Sequence, residues 1–247
     1  AYVESFQKYT SLIQPEGYLI IKKGIDLNPA VQPGVTVYTY STEEGDFHAE
    51  NIRIENGEIY FDFISPLGNI EGIQLGVPVY VNIENGIATN EEIKQAMPGF
   101  RGVDRRFDFK LKNDRIVFIS DYAHHPAEIK QSISSVRMLY PDKKITAVFQ
   151  PHLYTRTRDF YKDFADSLSL LDEVILLDIY PARELPIEGV TSKLIYDNLR
   201  PDIEKSMCSK ENLLEVIKHK KTDVLITLGA GDIENYVPQI YELLKDK

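Results

Sequence analysis

Residues 116–149 read IVFISDYAHHPAEIKQSISSVRMLYPDKKITAVF, and this stretch decides the fold. Ile116–Ser120 is an unbroken apolar run, the pattern of a strand buried on both faces. Pro126–Leu139 then places Ile129, Ile133, Val136 and Leu139 on one helical face, and Ile145–Phe149 is a second apolar run. The alternation continues downstream. A helix is predicted over 157–171 with Phe160, Phe164, Leu168 and Leu171 inward, and a strand over 174–179. Short helices over 192–199 and 211–219, a strand over 224–228 and a last helix over 233–244 follow. Such a pattern predicts an α/β fold, a Rossmann-like, doubly wound and mostly parallel sheet covered on both faces.

Residues 1–100 read differently. Tyr2, Phe6, Tyr9 and Ile13 suit a helix, and strands are expected over 18–22, 35–40 and 70–75. Between His48 and Ser65, apolar residues alternate with polar ones on both sides of Asn56-Gly57, a hairpin signal. A buried helix over 79–88 and a short helix capped by Asn90, carrying Ile93, Ala96 and Met97, complete this strand-rich part. Charge divides the chain at the same place. Of 28 Lys+Arg and 38 Asp+Glu, residues 1–100 hold 5 and 14, whereas the remainder holds 23 and 24. Two units joined near residue 100 are expected. The first residue is Ala1 rather than Met, which suggests a piece of a longer protein.

A hydrophobic content of 43% with 27% charged residues excludes a disordered chain. No apolar run approaches the roughly 18 residues of a membrane span. The net charge of −10 argues against a general nucleic-acid coating. Cys208 is the single cysteine, so an internal disulfide and a multi-cysteine zinc site are excluded, and the reducing cytoplasm is the expected compartment. Its polar surroundings suggest no activation. Neither a G-x-x-x-x-G-K-[ST] loop nor a G-x-S-x-G elbow occurs.

In a parallel sheet, ligands gather at the carboxyl ends of the strands. Those ends carry Asp121-Tyr122-Ala123-His124-His125-Pro126, then Gln150-Pro151-His152 with Thr155-Arg156-Thr157-Arg158, then Asp178 with Tyr180-Pro181-Ala182-Arg183-Glu184, and Gly229-Ala230-Gly231-Asp232. Asp121 suits either a helix N-cap or a ligand group that bonds a ribose or a water near magnesium. Asp121, His124, His125 and His152 are the set from which a metal-dependent hydrolase would be built, although no H-x-x-x-H spacing is present. Arg156 and Arg158 at a helix start suit a carboxylate or phosphate, or a surface ion pair with Asp159 or Asp163. Arg105-Arg106 would grip a phosphate or decorate a linker, and Gly229-Ala230-Gly231 more often permits a tight turn than binds phosphate.

Together with Gly102-Val103-Asp104-Arg105-Arg106-Phe107-Asp108, Phe149-Gln150-Pro151-His152 and Gly229-Ala230-Gly231-Asp232-Ile233, these strings resemble the Mur ligase family, in its alanine-adding branch. The resemblance covers the second unit in order and spacing, and the first more weakly around Gly76 and Asn82. It implies that residues 1–100 are the later part of a central ATP-binding domain and 101–247 an amino-acid-binding C-terminal domain. A UDP-binding domain and the P-loop portion would precede them, so the piece alone is expected to be inactive. The implied activity belongs to cytoplasmic peptidoglycan synthesis: ATP, with Mg2+, activates the carboxylate of UDP-N-acetylmuramate as an acyl phosphate, and L-alanine attacks it. The implied roles are Arg106 and Asp121 toward ATP, Asn82 toward adenine, and Tyr122, His124, His152 and Arg156 around the incoming alanine. No nucleic acid or membrane is implied. Two departures are present: Pro78-Val79 stands where the family often has His-Asn, and Leu153 where many members carry a basic residue. The alternatives are the family member that attaches a whole tripeptide, the metal hydrolase above, and a binding module without turnover.

Overall fold

A computed structural model describes residues 2–75, 99 and 104–245. The chain divides into two units, Ala1–Phe100 and Arg101–Lys247. The helices read at 79–88 and after Asn90, together with Asn82, lie outside the described residues.

The first unit opens with helix α1 (Tyr2–Thr10). Strands β1 (Tyr18–Lys22) and β2 (Thr36–Tyr40) pair in parallel. Strands β3 (His48–Glu55), β4 (Glu58–Ile64) and β5 (Ile70–Leu75) form an antiparallel meander. Asn56 and Gly57 both have positive φ, 54° and 75°, which suits the strand twist of a tight hairpin. Ile59, Phe61, Ile73 and Leu75, from β4 and β5, are buried at 4% exposure or less.

The second unit holds a six-stranded sheet: β6 (Asp108–Lys112), β7 (Val117–Asp121), β8 (Ile145–Phe149), β9 (Glu173–Leu176), β10 (Glu204–Met207) and β11 (Val224–Leu228). Their order is β10-β9-β8-β11-β7-β6, and every neighbouring pair is parallel except β6 with β7. Strands β7, β8 and β11 are buried along their whole length, as their uninterrupted apolar character requires. Helices α2 (Pro126–Leu139), α3 (Tyr154–Leu168) and α4 (Lys193–Asn198) pack in succession. They cover one face, where Phe149 meets Phe164 at 5.3 Å between ring centroids. Helices α5 (Leu213–Lys218) and α6 (Val237–Leu244) cover the other, with Leu213, Ile217, Ile240 and Leu244 against Phe118, Val148, Ile175 and Leu225. Each such side chain contributes about 1.5–3 kcal/mol on burial.

Several boundaries differ from the sequence reading. Helix α3 spans 154–168 rather than 157–171, because Thr157 donates from both its amide and its hydroxyl to the Leu153 carbonyl, at 3.1 and 2.9 Å, and so lies inside the first turn. Phe160 is half-exposed rather than inward. The strand read at 174–179 ends at Leu176. The last helix begins as a 3-10 turn, Asp232–Tyr236, since Pro238 has no amide to continue an α-helical ladder. Strands β6 and β10 had no apolar run to announce them: they are half-exposed edge strands.

Candidate functional site

Four loops meet at the carboxyl edge of the second unit's sheet, after β7, β8, β9 and β11. Asp121 ends β7. Its carbonyl accepts from the Gly229 amide at 3.2 Å, and its carboxylate accepts from the Ala123 amide at 3.2 Å and from the Ser132 hydroxyl on α2. At 8% exposure, burial pushes its carboxyl above the ordinary range, against those two hydrogen bonds. Asp121 is therefore not the cap of α2. His125 takes that place: its ring accepts from the Ala127 amide, and Glu128 reaches back to the His125 amide at 3.1 Å, a capping box. Glu128 also receives the His124 amide at 3.0 Å; burial works to raise its carboxyl, and these two amides outweigh it and hold it low.

Tyr122 and His124 stand on the turn so fixed. The Tyr122 ring lies beneath two guanidinium groups, Arg105 at 4.5 Å and Arg106 at 5.6 Å from its centroid. Arg105 also pairs with Glu234 at 2.8 Å, while Arg106 is exposed. His124 meets Tyr122 edge-on at 5.1 Å, and its Nδ1 lies 2.9 Å from the Tyr122 carbonyl. A carbonyl only accepts, so Nδ1 carries a proton and Nε2 is the ring nitrogen left facing away from that bond.

From β8 comes His152, whose ring lies 6.0 Å from that of His124 and stacks on Tyr180 at 5.6 Å. Arg156, in the first turn of α3, reaches within 3.5 Å of His152 Nδ1. Burial, then the Arg156 charge, then His124 lower the His152 titration, with Glu184 opposing them. Arg158 points away and pairs with Asp159 at 2.7 Å, so the surface ion pair is what the structure shows for it.

Behind this edge sits Gln150, at 1% exposure. It donates to Asp232 at 2.7 Å and accepts from the Ile233 amide at 2.9 Å. Gly229 has φ +139°, and a Cβ there would stand 2.7 Å from the Gln150 carbonyl oxygen; at Gly231 it would meet the Gln150 side chain and Tyr180. The Gly-Ala-Gly loop thus packs against Gln150, the tight-turn reading. The hydrolase set does not converge: Asp121 faces Ser132, His125 caps α2 against Phe160, and among the described residues no group of three or more His, Cys, Asp or Glu is arranged to hold a metal.

The sequence reading quoted Tyr180 and Glu184 without giving them a part, and it passed over Ser132 and Glu128. Tyr180 and Glu184 follow β9, whose place beside β8 brings them onto His152 and α3. A signal was present in their position after a strand end.

The family described as Mur ligase, glutamate ligase domain, matches residues 105–231. A Phocaeicola vulgatus protein named UDP-N-acetylmuramate–L-alanine ligase is 74% identical over 257 aligned residues, covering 100% of this chain and 56% of that protein. One of the same name in Parabacteroides distasonis is 56% identical, covering 99% and 55%. The chain spans about half the length of the curated relatives it matches. The solved UDP-N-acetylmuramate–alanine ligase of Thermotoga maritima superposes with a TM-score of 0.78 at 23% identity, over 99% of this chain and 55% of that one. A murein peptide ligase from Psychrobacter arcticus gives 0.56 at 16%, over 99% and 55%. Those two likenesses are of fold. The family match runs through all four loops of the carboxyl edge, and the chain belongs to the Mur ligase family.

Proposed function

We propose that this chain is the amino-acid-binding part of an ATP-dependent ligase that joins L-alanine to UDP-N-acetylmuramate in the cytoplasm. The observation that carries the reading is the meeting of His124, His152 and Arg156 at the ends of β7 and β8, in a chain 74% identical to a ligase of that name. Residues 1–100 form the later part of its central ATP-binding domain, and 101–247 its C-terminal domain. ATP phosphorylates the muramate carboxylate, and the amine of alanine attacks the resulting acyl phosphate. The tetrahedral intermediate expels phosphate and leaves the amide.

In this reading Arg156 receives the alanine carboxylate through its guanidinium fork. Tyr122, with His124 and its Nε2, lines the approach of the amine, and His152, whose titration burial and then Arg156 lower, stands beside it. Arg106 and Asp121 act toward ATP in this reading. Magnesium supplies charge neutralisation during phosphoryl transfer.

Phosphate release by the complete gene product with Mg-ATP and UDP-N-acetylmuramate tests the assignment. Turnover that requires L-alanine supports it, whereas turnover only with a tripeptide, or none with either, overturns it.

A further inference from the structure

Helix α3 begins without a cap of its own. Leu153 occupies the N-cap position, has no hydrogen-bonding side chain, and holds φ +71°, a region that favours glycine. The amides of the first turn are instead met from another loop. Glu184 accepts from the Thr155 amide at 2.9 Å through Oε2 and from the Thr155 hydroxyl at 2.5 Å through Oε1. The Tyr154 amide also contributes, and with Thr155 these bonds hold the Glu184 carboxyl below its ordinary range. A carboxylate at this end is favoured by the helix dipole.

Glu184 is held in its turn. Its amide donates to the Pro181 carbonyl at 2.9 Å, closing a turn in which Ala182 has φ +51°. One step back, the Leu153 amide donates to the Tyr180 carbonyl at 2.9 Å and the Tyr180 amide to the Pro151 carbonyl at 2.8 Å, while the Tyr180 ring stacks on His152. The segment from Tyr180 to Glu184 therefore grips the segment from Pro151 to Arg156 at both ends. Between those grips lies His152, and Arg156 follows directly on Thr155.

We propose that Glu184 is a positioning residue for the amine substrate: by capping α3 from the loop after β9, it sets the angle at which Arg156 and His152 face the incoming amino acid. The proposal rests on the ligase reading above. It gives Glu184 no contact with substrate. Its charge also partly offsets Arg156 beside His152, so both the geometry and the local field of the pocket depend on it.

The test uses the complete gene product as wild type, Glu184→Ala and Glu184→Gln. Glu184→Ala is expected to raise the KM for L-alanine by about tenfold or more and leave the KM for ATP within about twofold, the split expected of a damaged amine site. Glu184→Gln keeps a carbonyl oxygen for Thr155 and is expected to stay within about threefold of wild type. In the same protein without substrates, the His152 ring followed by NMR is expected to titrate at lower pH in Glu184→Ala, because a negative charge that favours imidazolium has been removed; Arg156, Glu184 and the titratable His124 are the groups that act on it. An unchanged alanine KM, equal losses for alanine and ATP, or an unmoved His152 titration each overturns the proposal. Wild-type protein without alanine-dependent turnover would sink the ligase reading instead. The His152 titration would still judge Glu184.

Discussion

In the proposed ligase, Arg156 is the side chain that receives the alanine carboxylate. Its truncation removes a charged hydrogen-bond donor, worth about 1.5–3 kcal/mol, so Arg156→Ala should raise the alanine KM by about 10- to 100-fold. ATP affinity should be nearly unchanged; steady-state kinetics with each substrate varied decides this. Asp121 offers a second residue-level test. Its buried carboxylate depends on the Ser132 hydroxyl, and Ser132→Ala leaves that oxygen short of a donor. A loss of about 1–3 kcal/mol in denaturant unfolding is expected, larger at neutral pH than in acid, where a protonated Asp121 no longer needs the charge solvated. The sequence already announced Asp121, His124, His152 and Arg156, because each stands just past an apolar run. It did not announce that Asp121 faces inward or that His125 caps α2. Those outcomes depend on which way one turn points, and hydrogen bonds to Ser132 and Glu128 decide it.

At the level of elements, β7, β8, β11 and α2 were readable to within a residue, since burial on both faces demands unbroken apolar runs and a helix face demands its period. Helix α3 starts three residues before the predicted start, at a Leu153 whose positive φ no residue pattern signals. That geometry yields a prediction: Leu153→Gly relieves backbone strain of about 1–3 kcal/mol, so despite losing a half-buried side chain the variant should unfold at or slightly above the wild-type midpoint. The opposite change is expected at the last loop. Gly229→Ala puts a Cβ at 2.7 Å from the Gln150 carbonyl with φ +139°, and should cost about 2 kcal/mol or more. Chemical denaturation of the two variants side by side reads both signs.

Across the second unit as a whole, the two ends of the sheet do different work. The carboxyl edge carries the loops of the candidate site, while the opposite edge is held by an ionic cluster around one buried carboxylate. Glu173 is fully buried and pairs with Lys144 at 3.1 Å and with Lys220, and Lys144 pairs again with Glu204 at 3.0 Å. Burial alone would raise the Glu173 carboxyl; the two lysines outweigh it and hold it below its ordinary value. A depressed carboxyl contributes stability that is present above its unfolded value, about 4.3, and lost as pH falls through its folded value. Glu173→Gln should therefore lower stability at pH 7 and flatten its decline below about pH 4, as thermal unfolding across pH would show. Periodicity could not reveal this cluster, which joins residues up to 76 positions apart.

The sheet order has a consequence for how the protein is made. Strand β11 is the last of the five parallel strands to leave the ribosome, yet it lies between β7, the first, and β8, the second. Until it arrives, β7 and β8 have no neighbour in common, and the loops that carry His124 and His152 have nothing to set their spacing. Its contacts also span about a hundred residues of chain, the kind of long-range closure that slows folding. A nascent chain stalled before residue 224 would thus display apolar strand edges to the quality-control machinery and no assembled pocket to a substrate. Completeness of synthesis is built into the architecture as a precondition for binding.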